Sequence, residues 1–261
     1  MKRFDNQWAL VTGASSGFGV EFARILAAGG ANLVLAARRR EPMECLAAAL
    51  GAKYGVEVEV EAIDLAGADA PNQLYQRLYA RGRRIDVLVN NAGFGVFGEF
   101  DQTPYERIDE MLRLNIMTLT RLTHLFGGEM VKRRRGHVLL VASIGGYQAT
   151  PTYAAYAASK AYVLLFGEAL NDEWKKHGVK VATLCPGITQ TSFLEVSGQK
   201  PTLYQRMMMM QSRPVAEIGI RAMLRGTPSV VPGLANKLTV FLGRLTPRPV
   251  QARLAYQLMK N

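Results

Sequence analysis

The sequence predicts a doubly wound α/β fold, a parallel sheet with helices on both faces, and three observations lead there. Short apolar runs alternate with stretches of helical periodicity from residue 7 to about 232, the order produced when each strand is followed by a crossover helix. A glycine-rich turn, Thr12-Gly13-Ala14-Ser15-Ser16-Gly17-Phe18-Gly19, separates the first strand from the first helix. The chain has 261 residues, 49% of them hydrophobic, and no internal repeat, which suits one large domain with a sizeable core. We place that domain at 1–233 and a basic, amphipathic extension at 234–261.

The elements follow in order. Gln7 to Thr12 (QWALVT) predicts a strand, and VEFARILAAGG a helix closed by Gly29-Gly30. Strands are expected at Asn32 to Ala36, Val56 to Ile63 and Ile85 to Val89, with helices at Glu41 to Tyr54 and near Ala70 to Arg81 between them. Thr103-Pro104 suits the start of one long helix from Tyr105 to about Lys132. A strand at His137 to Ala142 leads to a second long helix, Thr152 to His177, whose basic end and Gly178 suit a helix terminus. Val179 to Cys185 predicts a strand broken by Pro186-Gly187, and 188–212 reads as irregular. Pro214 to Arg225 predicts a helix and Ser229 to Val231 a short strand.

Bulk properties exclude several classes. No apolar run reaches the roughly 18 residues of a membrane-spanning helix, and no secretion signal is read at the amino end. Cys45 and Cys185 lie far apart, and His124, His137 and His177 are scattered, so no metal site is expected and both thiols read as structural, in the cytoplasm. The net charge of +11 gathers in Arg38-Arg39-Arg40, in Lys132 to Arg135 and in the tail, which has no acid after Glu217. Such an excess fits a solvated surface, an anionic ligand or an anionic membrane face. No zinc-finger spacing, RNA-binding signature or basic zipper accompanies it, so nucleic acid is not expected.

Chemistry concentrates at two places. In the turn, Gly13, Gly17 and Gly19 permit a tight bend and close approach to a pyrophosphate, while Ser15, Ser16 and Phe18 lead into a helix start that offers free N–H groups. After the second strand stand Arg38 and Arg39 with no acid to grip a ribose 2′-hydroxyl; guanidinium suits a 2′-phosphate, so NADP(H) is expected, with Arg38 its main reader. The other place is the end of the fifth strand, where the apolar run stops at Ser143. Tyr156 and Lys160 follow four residues apart, which on a helix sets their Cβ atoms about 5–6 Å apart on one face. An ammonium beside a phenol favours the phenolate and lowers its pKa from about 10 toward neutrality. Spacing alone proves little, since Tyr256 and Lys260 repeat it.

Thr12-Gly13-x-x-x-Gly17-x-Gly19, Asn90-Asn91-Ala92-Gly93, Asn115, Ser143, Tyr156-x-x-x-Lys160 and Pro186-Gly187 occur in the order and spacing of the short-chain dehydrogenase/reductases. The chain resembles that family over about residues 7 to 232. The resemblance implies a Rossmann-like fold and hydride transfer between nicotinamide and a carbonyl or secondary alcohol. It implies that Tyr156 is the general acid/base, that Ser143 stabilises the carbonyl oxygen, that Lys160 lowers the Tyr156 pKa and holds the nicotinamide ribose, and that Asn115 completes a proton relay. Asp64 and Leu65 would meet the adenine, Asn91, Ala92 and Gly93 the adenosine ribose, and Pro186, Gly187, Ile188 and Thr191 the carboxamide and pyrophosphate. The two long helices resemble those that build dimers and tetramers in the family.

Phe94, Phe97, Tyr147, Phe193 and Met207 to Met210 are candidates for an apolar pocket wall, pointing to a hydrophobic ketone, aldehyde or alcohol of lipid, steroid-like or polyketide type. Ordinary core packing explains each of them equally well. The tail suits an anionic membrane surface, a contact with the core, or a subunit contact, although Pro247 and Pro249 interrupt any long helix. The alternative from another class is a catalytically silent NADP(H)-sensing or membrane-associated scaffold of the same fold.

Overall fold

Strands β1 (Trp8–Thr12), β2 (Asn32–Ala37), β3 (Val58–Ala62), β4 (Ile85–Asn90), β5 (Gly136–Val141), β6 (Val179–Leu184) and β7 (Ser229–Val230) are mostly continuous apolar runs because both their faces are covered. In the computed structural model, which describes residues 3–191 and 193–259, they form one parallel sheet in the order β3-β2-β1-β4-β5-β6-β7. Alternate side chains serve two cores. Ala9, Val11, Leu33, Leu35, Val87 and Val89 face helices Gly17–Ala28, Arg40–Tyr54 and Ser212–Arg225. Leu10, Val34, Leu88, Val138 and Leu140 face Ala70–Ala80 and the two long helices. Burying each such side chain stabilises the fold by roughly 1.5–3 kcal/mol.

Most predicted boundaries hold within two residues. The strand expected from Val56 begins only at Val58; on this edge strand Glu59 accepts from Arg83 at 2.5 Å, and Glu61 is buried beneath Arg81 and Arg77, with which it pairs. The second long helix begins at Ala154, because Thr152 has a φ of +66° that no helix accommodates. Residues 105–132 are continuously helical but include two π-helical stretches, Arg113–Thr118 and Thr123–Gly127. Residues 188–212, expected to be irregular, contain helices Phe193–Ser197 and Leu203–Met208 and a bridge between Thr189 and Met210. The tail folds as two helices, Leu234–Leu245 and Arg248–Met259, parted at Pro247 as its prolines require.

The chain runs outward from β1 to β3, then crosses back to β4 and on to β7. Loops after β1 and β4 therefore leave in opposite directions and open a crevice at the carboxyl ends of these strands, the place such sheets bind ligands.

Candidate active site

Thr12 fastens the two sides of that crevice. Its hydroxyl accepts the N–H groups of Asn91 (3.0 Å) and Ala92 (2.9 Å), and the Asn91 side-chain amide donates to the Thr12 carbonyl at 2.9 Å. Asn91 is thus engaged in holding β1 to the loop after β4, and Thr12, absent from the expected site residues, holds the motif together. Gly13 and Gly17 have φ of +67° and +54°, which L side chains rarely adopt. A Cβ on Gly19 would lie 2.2 Å from the Gly13 carbonyl oxygen, so the first helix packs directly on the turn.

This turn fits a dinucleotide. Ser16 caps the helix Gly17–Ala28 without a side-chain hydrogen bond, leaving first-turn N–H groups for an anion. A cavity of about 390 Å³ opens there, lined by Gly17, Val20, Gln190, Thr191 and Glu195 among others. Thr191 comes from the far side: a Cβ on Gly17 would stand 3.2 Å from its methyl. Phe18 packs beside Phe22 with ring centroids 6.1 Å apart and belongs to the core's edge.

At the end of β2 the two arginines divide. Arg39 donates to the Ser15 hydroxyl and carbonyl, both at 3.3 Å, and so stands over the turn. Arg38, expected to be the main phosphate reader, is paired with Glu110 at 3.1 Å. Glu110 lies on the long helix and could not be placed here from sequence spacing. Asp64 accepts the Ala66 N–H at 3.1 Å in a local turn, and Leu65 is buried, its carbonyl accepting from Thr118.

Ser143, Tyr156, Lys160 and Asn115 converge at the ends of β4 and β5. Ser143 caps the short turn Ile144–Tyr147, accepting the Gly145 N–H at 3.1 Å, and faces Tyr156 across Gly145, whose Cβ would lie 3.5 Å from Ser143 Oγ and 4.0 Å from Tyr156 Cε1. Lys160 is buried, donates to the Val141 carbonyl at 2.9 Å and lies 5.8 Å from the Tyr156 ring centre. Asn115, fully buried in the first π-helical stretch, clasps Phe94 by both carbonyl (3.0 Å) and N–H (3.2 Å) and donates to Ser159 at 3.1 Å. Ser159 in turn donates to the Tyr156 carbonyl at 2.7 Å. Gly93 is forced by this convergence, for its Cβ would lie 2.7 Å from Asn115 Oδ1 and 3.4 Å from Lys160 Nζ.

Burial sets the electrostatics. It pushes the Tyr156 phenol well above its ordinary value, with the Ser143 hydrogen bond pulling down and Tyr153 adding slightly. It lowers the Lys160 ammonium to about 8. The expected lowering of Tyr156 by Lys160 is therefore not what this arrangement gives: Lys160 donates to Val141, and burial raises the phenol instead.

The expected pocket residues separate. Phe193 meets Tyr156 directly and Phe97 reaches it through Tyr153, with ring centroids 5.2 Å (Phe193–Tyr156), 5.4 Å (Phe97–Tyr153) and 5.7 Å (Tyr153–Tyr156) apart. Phe94 is buried beneath the Arg107 guanidinium, Met210 is fixed by its bridge to Thr189, and Met207 faces solvent. Tyr147 instead lines a cavity of about 310 Å³ with Ile144, Gln148, Val240, Arg244 and Arg248, between the turn after Ser143 and the tail. Pro186 accepts the Ile144 N–H at 2.9 Å, Ile188 accepts from Met210 at 2.9 Å, and Gly187 is pressed against Asn236 of the tail, whose side chain would stand 2.5 Å from a Cβ there.

A buried polar chain escaped the sequence reading. The Tyr153 hydroxyl meets Ser197 and Gln199, both at 2.9 Å; Gln205 donates to Gln199 at 2.8 Å; and Gln199 donates to the Met259 carbonyl at 2.6 Å. The capping box Thr202–Gln205 was the available signal for the helix that carries it. The repeated pair Tyr256 and Lys260 is not comparable, as Lys260 lies outside the described residues.

Residues 7–202 match the family model described as short chain dehydrogenase. The chain is 34% identical over 199 residues to a very-long-chain 3-oxoacyl-CoA reductase of Phaeosphaeria nodorum, covering 75% of this chain and 58% of that protein. It thus spans under two thirds of the length of that relative. Among solved structures it resembles a short-chain dehydrogenase from Sphingobium yanoikuyae in complex with NADPH, 30% identical with a TM-score of 0.82 over 92% of this chain and 93% of that one. It also resembles a 7beta-hydroxysteroid dehydrogenase, 26% identical with a TM-score of 0.88 over 98% and 99% of the two chains.

Proposed function

The chain belongs to the short chain dehydrogenase family, and we propose that it is an NADP(H)-dependent oxidoreductase that interconverts a hydrophobic ketone or aldehyde and its alcohol. The observation that carries this reading is that Asn115 and Lys160 crowd Gly93 while Ser143 and Tyr156 flank Gly145, beside a turn able to hold a dinucleotide. NADP(H), when bound, supplies or receives the hydride. For reduction, Tyr156 donates its phenolic proton to the carbonyl oxygen, a role that its raised pKa suits because the proton is present to give. Ser143 holds the same oxygen as charge develops. Lys160 orients the ribose and returns a proton toward Tyr156, and Asn115 fixes the Phe94 backbone and, through Ser159, the helix that carries both.

Preference for NADP(H) is supported by Arg38 and Arg39 at the end of β2, with Arg39 bonded to Ser15 of the turn. A hydrophobic substrate is supported by the Phe97, Tyr153 and Phe193 rings around Tyr156, and by relatives named for very-long-chain acyl and steroid substrates. Exposed Tyr105, Met117 and Leu165 on the two long helices support a homodimer or homotetramer.

Incubation with deuterated NADPH and a panel of lipid and steroid ketones should give deuterium-labelled alcohols. Tyr156→Phe should lower turnover about 10²- to 10⁴-fold while NADPH still binds; labelling equal to that of the unaltered protein would refute the reading.

A further inference from the structure

Helix Leu234–Leu245 is amphipathic in the opposite sense to the helices that cover the sheet. Leu234, Leu238, Phe241, Leu242 and Leu245 recur at i, i+4, i+7, i+8 and i+11, one face of an α-helix. That face points outward, with exposure from 50% at Leu242 to 83% at Leu234. The inward side carries buried Asn236, which donates to the Pro232 carbonyl at 2.8 Å. Helix Arg248–Met259 repeats the pattern: Val250, Leu254 and Leu258 are exposed while Ala255 is buried. Gln199 and Thr202 donate to the carbonyls of Met259 and Leu258, which brings the helix Leu203–Met208, with Leu203 and Met207 exposed, alongside. Tail and the 188–212 loop therefore lie side by side, each with exposed apolar side chains.

Its charge selects what covers it. No acid follows Glu217 in the sequence, and among the described residues Lys237, Arg244, Arg248 and Arg253 form no ion pair, although acids elsewhere are extensively paired. A second copy laid on this face would oppose cations to cations, whereas an anionic bilayer meets them with opposite charge and receives the apolar stripe. We propose that the two tail helices, with Leu203 and Met207, form a docking face for an anionic lipid surface. Exposed Lys237 and Arg253 lie among the headgroups and the leucine–phenylalanine stripe enters the acyl boundary, while Arg244 and Arg248 line the cavity beside Tyr147. This inference needs no hydride chemistry and stands apart from the catalytic reading.

Flotation of the full chain tests it, using vesicles of phosphatidylcholine alone and of equal parts phosphatidylcholine and phosphatidylglycerol. The protein should float with the mixed vesicles, remain unbound with phosphatidylcholine alone, and be released by high salt. Leu238→Asp combined with Phe241→Asp should cut the bound fraction at least about tenfold, and Lys237→Gln with Arg253→Gln should weaken the vesicle affinity about 30-fold, each at an unchanged melting temperature and unchanged turnover of a water-soluble ketone. Equal flotation of the native chain and the double aspartate variant would overturn the proposal. So would absence of flotation with the mixed vesicles, including the case in which light scattering finds an oligomer that the aspartates dissolve. Flotation without any turnover would sustain the docking face and refute the reductase reading alone.

Discussion

The glycine turn at 12–19 and the loop at 188–212 close one crevice from opposite sides and meet where Gly17 faces Thr191, yet they are held by different means. The turn is fixed by what it lacks: Gly13 and Gly17 take left-handed φ values, and Gly19 has no side chain to strike Gly13. The loop is fixed by what it has, amide side chains that reach across the molecule from Gln199 and Gln205 to Met259 and Tyr153. Local steric exclusion thus shapes the turn, the proposed cofactor side, and long-range hydrogen bonding shapes the loop, the proposed substrate side. Damage to the first should abolish cofactor binding; damage to the second should alter substrate handling while the cofactor still binds.

The strongest challenge to this contrast is Gly19→Val, whose side chain has no room beside the Gly13 carbonyl. It should cost about 3 kcal/mol of stability and eliminate NADPH binding, as read by fluorescence titration and thermal melting. Replacing Arg38 and Arg39 together by alanine should weaken NADPH about 100-fold, near the value of two charge-assisted contacts, and NADH only slightly. An equal loss for both would remove the phosphate role; Arg39→Ala alone outweighing Arg38→Ala would confirm the unequal positions of the two side chains.

On the other side, Gln205→Leu should raise KM for a ketone about tenfold, the scale of one lost buried hydrogen bond, with the NADPH dissociation constant unchanged. A shift in NADPH affinity of the same size would erase the distinction between the regions. The smallest effect is in pH. Lys160, lowered to about 8, carries its charge below that value and loses it as pH rises, whereas Tyr156 stays protonated. Reduction should therefore decline through about pH 8, and a kcat profile flat across that value would remove Lys160 from the relay.

The same contrast explains what the sequence disclosed. Strands buried on both faces show as apolar runs, and the glycine turn shows because its geometry admits few other residues. Tyr156 and Lys160 were legible because four residues is one helical turn. The pairing of Arg38 with Glu110, the grip of Thr12 on Asn91 and the Tyr153–Gln199–Met259 chain join residues far apart in sequence, and no periodicity records them. The outward apolar stripe of Leu234–Leu245 has the same pattern as an inward one; only the fold says which way it points.

The π-helical stretches bear on how this chain tolerates length changes. In Arg113–Thr118 the hydrogen bonds run i to i+5, so the helix gains residues relative to an α-helix and its phase slips just where Asn115 must turn inward. Removing one residue there would let the backbone relax to ordinary α-helical bonding while rotating everything downstream, including Thr118, Leu119 and Leu122, away from its present face. A deletion that repairs the helix would thus move Asn115 away from Phe94 and Ser159, which makes the length of this segment, as much as the identity of its asparagine, what sets that contact.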